Sequence, residues 1–282
     1  MAAPTRSQPR TRTSGRTGRG LSNVSRQAAF FCYHSISSPG WPFLSVDPDD
    51  FERHLATLRR LGWASGGEAE LEQLDLGTRL SQPTAFLSFD DGYVDNHTHA
   101  LPLLRAYRAH AFVFVLPTFV DTGAPLCWAG VEDACAELPD VMRSMSWDMV
   151  GELAEAGMTI GSHTNSHHRL PRLGDEELRQ ELLDSRQRIV RRLGDCRTLA
   201  YPYGHADRRV RAAARDAGYR WAFTMPCGTR PATGPLAIPR VAIDHRDGSS
   251  RFALKLRPVA RYLILSPLRG PVRRLAVRIR GT

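Results

Sequence analysis

The stretch Phe112-Val113-Phe114-Val115-Leu116 is an unbroken apolar run, of the kind found in strands that are covered on both faces. Just before it, Leu101–Tyr107 sits in a helical stretch, and before that Ala85-Phe86-Leu87-Ser88-Phe89 forms another strand. The same unit recurs outward in both directions. Ala29–Tyr33 is strand-like, and Asp47–Leu61 carries Phe51, Leu55 and Leu58 at helical spacing with aspartates in its first turn. On the other side, Met149–Ala156 is a helix stopped by Gly157, and Met158–Ile160 is a short strand. Asp175–Leu193 is the clearest helix, with Leu178, Leu182, Ile189 and Leu193 on one face and Gly194 just past its end. A strand at Leu199–Tyr201, a helix at Arg208–Ala217 and strands at Trp221–Thr224 and Ile238–Ile243 complete the series. Strands alternating with helices imply an α/β fold with a mostly parallel sheet, and seven such strands favour a closed or nearly closed barrel in a single domain.

The chain has 282 residues, 42% of them hydrophobic and 24% charged, the composition of an ordinary globular protein. Its net charge of +9 suggests a nucleic-acid binder until the distribution is considered. Fifteen of the 38 basic residues lie before residue 30 or from residue 251 onward, where there is no acid, leaving 23 against 29 acids in the body, a net −6. Nucleic acid is therefore not the expected partner. Residues 1–28 are expected to be a disordered basic tail, 29–250 the barrel, and 251–282 a basic amphipathic extension. In that extension, Pro258, Pro267 and Pro271 forbid one long helix, and its alternating apolar and basic residues suit an anionic membrane surface or packing on the barrel.

The five cysteines, Cys32, Cys127, Cys135, Cys196 and Cys227, form no C-x-x-C pair, so reduced thiols are expected. No secretory signal segment and no spanning helix are recognised, which gives an expectation of a cytoplasmic chain, peripheral to the membrane if the extension binds one.

Three clusters follow strands, and loops at the carboxyl ends of parallel strands share one face. Phe89-Asp90-Asp91-Gly92-Tyr93 offers adjacent carboxylates pointing in different directions, one to bind a cation and one to take a proton. Gly161-Ser162-His163-Thr164-Asn165-Ser166-His167-His168 offers two histidines four residues apart, which a helical turn would aim at one ion, with His168 competing for the second position. Ala200-Tyr201-Pro202-Tyr203-Gly204 can aim the Tyr203 N–H into the site. Each cluster alone is also explained by turns and surface histidines. His97 and His99, two apart, do not share a helical face and are expected at the surface; Trp128, Trp147 and Trp221 are expected in core packing.

Taken together, Ser88-Phe89-Asp90-Asp91-Gly92, His163-Thr164-Asn165-Ser166-His167 and Ala200-Tyr201-Pro202-Tyr203-Gly204 resemble the motifs of the polysaccharide deacetylase family, carbohydrate esterase family four. The resemblance runs from about Tyr33-His34 to Arg240. It implies a distorted (β/α) barrel of about seven parallel strands and a hydrolase that removes an N-acyl group from an amino sugar. It also implies one divalent ion, zinc first and Co2+, Ni2+ or Mn2+ next, on Asp91, His163 and His167. Asp90 resembles the catalytic base and Tyr203 the oxyanion donor.

Two positions depart from the family pattern. Ala200 stands where an arginine orients the base, for which Arg240 is the candidate substitute, and the late catalytic-acid histidine has no clean match, leaving His245 and His34 as candidates. The competing functions are a non-catalytic barrel that binds polyanions or membranes through its tails, and deformylation of a lipid-linked sugar. An N-acetylated sugar is the expected substrate.

Overall fold

The computed structural model describes residues 27–226 and 234–266. The strands are β1 (Ala28–Tyr33), β2 (Ser35–Ile36), β3 (Ser45–Val46), β4 (Ala64–Ser65), β5 (Thr84–Phe89), β6 (Ala111–Val115), β7 (Thr159–Ser162), β8 (Thr198–Ala200), β9 (Trp221–Thr224), β10 (Ile238–Pro239) and β11 (Val241–Ala242). The helices are α1 (Pro48–Arg60), α2 (Glu68–Asp75), α3 (Leu101–Tyr107), α4 (Pro117–Thr122), α5 (Glu132–Glu137), α6 (Trp147–Glu155), α7 (Asp175–Leu193), α8 (Arg208–Asp216), α9 (Ser249–Lys255) and α10 (Pro258–Leu265).

All pairings in the main sheet are parallel, in the order β10-β9-β8-β7-β6-β5-β1-β11, with β4 on the start of β5. The expected strand Ile238–Ile243 is broken at Arg240. Its first half pairs with β9 and its second half with β1, while the Arg240 N–H donates to the Thr224 carbonyl at 3.0 Å. This one bent segment spans the seam between first and last strands and nearly closes the barrel.

Strand alternation sorts the core into two sides. Phe86, Phe112, Phe114, Ala200, Trp221 and Phe223 fill the barrel with Ala28 and Phe30, above a floor formed by Leu71 of α2. Ala29, Phe31, Leu87, Val113 and Leu199 face outward, under the apolar stripes of α1 and α7. Helix α1 begins as its sequence dictates: Asp47 caps the Asp49 N–H, Pro48 occupies the first turn, and Phe51, Leu55 and Leu58 turn inward.

At the C-terminus the proline break lies where expected, with Pro258 opening α10. Helix α9 belongs to the core, however. Phe252 is fully buried, 5.1 Å from the Phe31 ring and stacked 4.3 Å from His54. Lys255 Nζ donates to Asp247 Oδ2 at 2.6 Å, tying the helix down. Val259, Tyr262 and Leu263 of α10 remain exposed. The expected N-terminal tail to residue 26 and the extension beyond residue 266 lie outside the described residues. No helix among the described residues is long and apolar enough to cross a membrane.

The cysteine expectation needs correction. Cys127 and Cys135 form a disulfide, with a Cα–Cα distance of 6.1 Å. Helix α5 turns the chain back, so that two residues eight apart meet without a C-x-x-C spacing. Disulfides persist in oxidising compartments, so this bridge lends no support to the expected cytoplasmic location. Cys32 and Cys196 are free and buried, and Cys227 lies outside the described residues.

Because Phe252 fills the space between Phe31 and His54, Phe252→Ala is predicted to lower folding stability by about 3–5 kcal/mol, measured by urea denaturation.

Candidate active site

Register brings the three clusters to one rim. Tyr33 pairs with Phe89, Val115 with Ser162 and Ala200 with Phe223. The residues that leave these strands are held across them: Asp90 N–H donates to Tyr33 O at 3.0 Å, His163 N–H to Val115 O at 2.8 Å, and Tyr201 N–H to Phe223 O at 3.1 Å. The loops then bend sharply. Of six non-glycine residues with positive φ among the described residues, Asp91, Thr164, His167 and Tyr203 lie in these clusters. Such strain, on the order of 1–3 kcal/mol each, persists where surrounding structure over-determines it and concentrates at functional sites. Gly204, with φ +71°, adds a tight approach, because a Cβ there would run into the Met225 backbone.

Asp91, His163 and His167 converge. Asp91 Oδ1 lies 3.2 Å from His163 Nε2 and 3.5 Å from His167 Nε2, and all three side chains are buried. The expected helical turn is not what does this. Residues 163–167 form a loop whose left-handed Thr164 and His167 fold the second histidine back over the first. The loop is pinned by α7: Glu181 Oε2 accepts from the Asn165 and Ser166 N–H groups at 2.9 and 3.1 Å, and His168 Nδ1 lies 3.2 Å from Glu181 Oε1. His168 is exposed and turned away.

The donor set suits a divalent cation. The His163 Nδ1–H donates to Ala200 O at 2.8 Å, which leaves its Nε2 lone pair aimed at the cluster. Burial pushes the His167 pKa down to about 3, so its imidazole is neutral, the form that binds metal. Asp91 Oδ1 is buried with no hydrogen-bond donor, a costly arrangement for a carboxylate that a cation would resolve.

Beside this cluster, Arg240 clamps Asp90. Nη1 donates to Oδ1 and Nη2 to Oδ2, both at 2.7 Å, with arginine and aspartate almost fully buried. Burial works to raise the Asp90 pKa; the guanidinium and the neighbouring histidines more than reverse it, holding the carboxyl far below its usual range. Arg240 Nη1 also donates to Ser88 Oγ at 2.8 Å, and the Cys32 thiol donates to Asp90 Oδ2 at 3.3 Å. Ser88 and Cys32 escaped sequence reasoning; the only signal was their parity with the inward residues Phe86 and Phe30.

Of the two candidate acids, His34 faces the cluster. One of its ring nitrogens lies within 4.8 Å of Asp90 and Cys32, and its Nδ1 is buried without a partner. His245 is exposed, 3.4 Å from the Phe43 N–H, and packs edge-on to the Phe43 ring rather than against the cluster. It follows a strand end, as expected, but the turn at Asp244–Asp247 carries it outward.

Trp128 corrects a second expectation. Instead of packing in the core, it stacks on His167 with ring centroids 4.0 Å apart, while the Tyr203 ring lies 4.7 Å from the same histidine. Nothing local in the sequence signals this, since Trp128 arrives on the disulfide-bridged loop before α5. Trp221 is in the core as expected; Trp147 is half-buried and donates to Asp121 at 2.6 Å. His97 pairs with Glu152 at 2.8 Å, and His99 lies 2.7 Å from the Ile36 carbonyl, both away from the cluster.

The model of the polysaccharide deacetylase family matches residues 77–222, more than half of the chain. The chain belongs to the polysaccharide deacetylase family. Membership makes it a hydrolase of the carbohydrate N-deacetylase class, acting on an amide bond. The match holds Asp90, Asp91, His163, His167 and Tyr203, whereas His34 and Arg240 lie outside it. The deacetylase relatives include YxkH of Bacillus subtilis, 27% identical over 78% of this chain and 72% of that protein. Poly-beta-1,6-N-acetyl-D-glucosamine N-deacetylase of Escherichia coli K12 is 25% identical over 76% of this chain, but the match spans only 36% of that longer protein. Among solved structures, the Streptococcus pyogenes deacetylase PplD in complex with acetate superposes with a TM-score of 0.69 at 20% identity, covering 82% of this chain and 98% of that one. IcaB from Ammonifex degensii gives 0.66 at 22% identity, covering 82% and 97%. These likenesses carry the deacetylase barrel.

Two predictions follow from the geometry. His163→Ala is predicted to abolish stoichiometric divalent-metal binding, measured by metal analysis after dialysis, whereas His168→Ala retains it. Arg240→Met leaves the Asp90 carboxylate buried without its partner and is predicted to destabilise the fold by about 3–5 kcal/mol; adding Asp90→Asn should recover part of that loss in the same urea titration.

Proposed function

We propose that the protein is a metal-dependent hydrolase that releases acetate from an N-acetylated amino sugar. The observation that carries the proposal is the buried cluster of Asp91, His163 and His167, with its donorless Asp91 oxygen, set beside an ionised Asp90. Asp91, His163 and His167 would hold the ion, and zinc is the first to test because an aspartate with two histidines suits it. When bound, the ion lowers the pKa of water and polarises the acyl carbonyl.

The remaining chemistry falls to the chain's own groups. Asp90 takes the proton of the attacking water. Arg240 occupies one lone pair on each Asp90 oxygen and the Cys32 thiol takes a second on Oδ2, fixing the carboxylate plane and leaving a lone pair of Oδ1 for the proton. The Arg240 clamp also lowers the basicity of Asp90, so its contribution comes from position and constant ionisation more than from base strength. The water oxygen bonds to the carbonyl carbon, and the Tyr203 N–H, which takes part in neither of the turn bonds from Gly204 to Tyr201 and from His205 to Pro202, is the candidate donor to the developing oxyanion. Cleavage of the carbon–nitrogen bond requires a proton on the departing amine. His34 is the candidate source, supported over His245 by its place beside Asp90. The products are acetate and the free amino sugar.

An N-acetylglucosamine-containing glycan is the first substrate to test, since the Escherichia coli relative is a poly-beta-1,6-N-acetyl-D-glucosamine N-deacetylase. Asp90→Asn is predicted to lower acetate release from N-acetylglucosamine oligomers by at least about 100-fold with metal still bound, and a chelator should abolish release until metal is restored. Release that persists in metal-free protein would overturn the proposal.

A further inference from the structure

Beyond the reacting groups, the rim of the site carries two arginines, Arg169 and Arg172, with no ion-pair partner among the described residues. Arg169 follows the histidine loop directly. Its guanidinium lies 3.7 Å over the Tyr203 ring, and that ring lies 4.7 Å from the ring of His167. The Tyr203 ring therefore touches both Arg169 and a proposed metal ligand. The loop that carries it is anchored. Leu170 is fully buried, Arg172 N–H donates to Arg169 O at 2.9 Å, and Arg209 of α8 donates to Leu173 O at 2.9 Å.

Several of the body's arginines are matched to acids: Arg209 pairs with Asp175, Arg188 with Asp121, and Arg179 with Glu176. Among the described residues, no carboxylate lies within ion-pair distance of Arg169 or of its neighbour Arg172. Burial and these two arginines together lower the pKa of nearby His205. The acids that bear on the Tyr203 ring are Asp91, which belongs to the histidine cluster, and Glu132, whose Oε2 accepts from the Gly130 N–H at 2.6 Å.

Stacking uses the flat face of a guanidinium and leaves its edge N–H groups free, a fork that matches the two oxygens of a carboxylate or phosphate. We propose that Arg169 binds an oxyanion on the substrate sugar or on the unit next to it, so that the preferred substrate is an anionic N-acetylated sugar, bearing phosphate or carboxylate. This rests on the proposed deacetylase reading and names the substrate class for that same site. Trp128, stacked on the His167 ring, would bound the acetamido end, while Arg169 would hold the charged end.

The experiment uses the full-length, zinc-loaded protein and three probes: the methyl glycoside of N-acetylglucosamine, N-acetylglucosamine 1-phosphate and N-acetylmuramic acid. Acetate release is compared in the unaltered protein, Arg169→Gln and Arg169→Lys. The unaltered protein is expected to favour one of the anionic probes over the neutral one by at least 10-fold in kcat/KM, mainly through KM and more strongly at low salt. Whichever anionic probe is favoured identifies phosphate or carboxylate as the source of the charge. Arg169→Gln should bring the ratio towards one, and Arg169→Lys should keep part of it. Calorimetric binding of both anionic probes to zinc-loaded Asp90→Asn protein, with and without Arg169→Gln, reads the same contact without turnover, and at least 10-fold weaker binding of the favoured probe is expected in the double variant.

Turnover of the neutral probe with a ratio at or below one for both anions would overturn the inference and leave the deacetylase reading intact. So would a preference that survives Arg169→Gln. Failure of all three probes to release acetate would count against the deacetylase reading for these sugars, and the calorimetric comparison would still decide the inference.

Discussion

The buried pair of Arg240 and Asp90 joins the architecture of this protein to its chemistry. A guanidinium inside a barrel lined by Phe114 and Phe223 is tolerated only with acceptors for its donors. Asp90 supplies two, and Ser88 supplies a third contact. Because Arg240 is also the residue at which the last strand bends from β9 to β1, the residue whose backbone bridges the seam fixes, through its side chain, the carboxylate at the rim. Loss of either partner would leave a stranded charge in an apolar core. That constraint ties residues 150 positions apart in the chain and brings a guanidinium to Asp90 from a different strand than the one that ends at Ala200.

Around this pair the site depends on loops that the strands alone do not determine. Parallel register delivers Asp90, His163 and Tyr201 to one rim, but convergence on a single point comes from left-handed residues at Asp91, Thr164, His167 and Tyr203. Those conformations are held from outside, by Glu181 gripping two successive N–H groups and by Ala200 O fixing the His163 ring. The ligand geometry therefore belongs as much to α7 and β8 as to the histidine loop itself.

Much of this was legible before any coordinates. The seven strands, the helix Asp175–Leu193 and the break at Pro258 follow from apolar periodicity and proline chemistry, which act locally. The pairing of Asp91 with His163 and His167 was legible too, although for a mistaken reason, since spacing of four suggested a helix where a strained loop achieves the same approach. The features that escaped are those that depend on distant partners. Cys127 meets Cys135 only because α5 turns back, Trp128 reaches His167 only through that bridged loop, and Phe252 turns an expected extension into core. His245 misled because a place after a strand end does not fix the direction of the turn that follows. Helices α2, α4 and α5 are short and weakly periodic, so they left little trace in the sequence.

The bend at Arg240 also orders events in time. A chain leaves the ribosome from its N-terminus, so Asp91, His163 and His167 emerge well before residue 240. A nascent chain that has reached Thr224 already contains all three proposed metal ligands, yet its Asp90 has no guanidinium and its barrel has an open edge between β9 and β1. An ion could thus settle during synthesis, while the carboxylate beside it becomes fixed in place only when the final strand closes the seam. The last-made part of the barrel completes the first-made part of the site, so an incomplete chain could bring the three proposed ligands together without the clamped carboxylate proposed as the base.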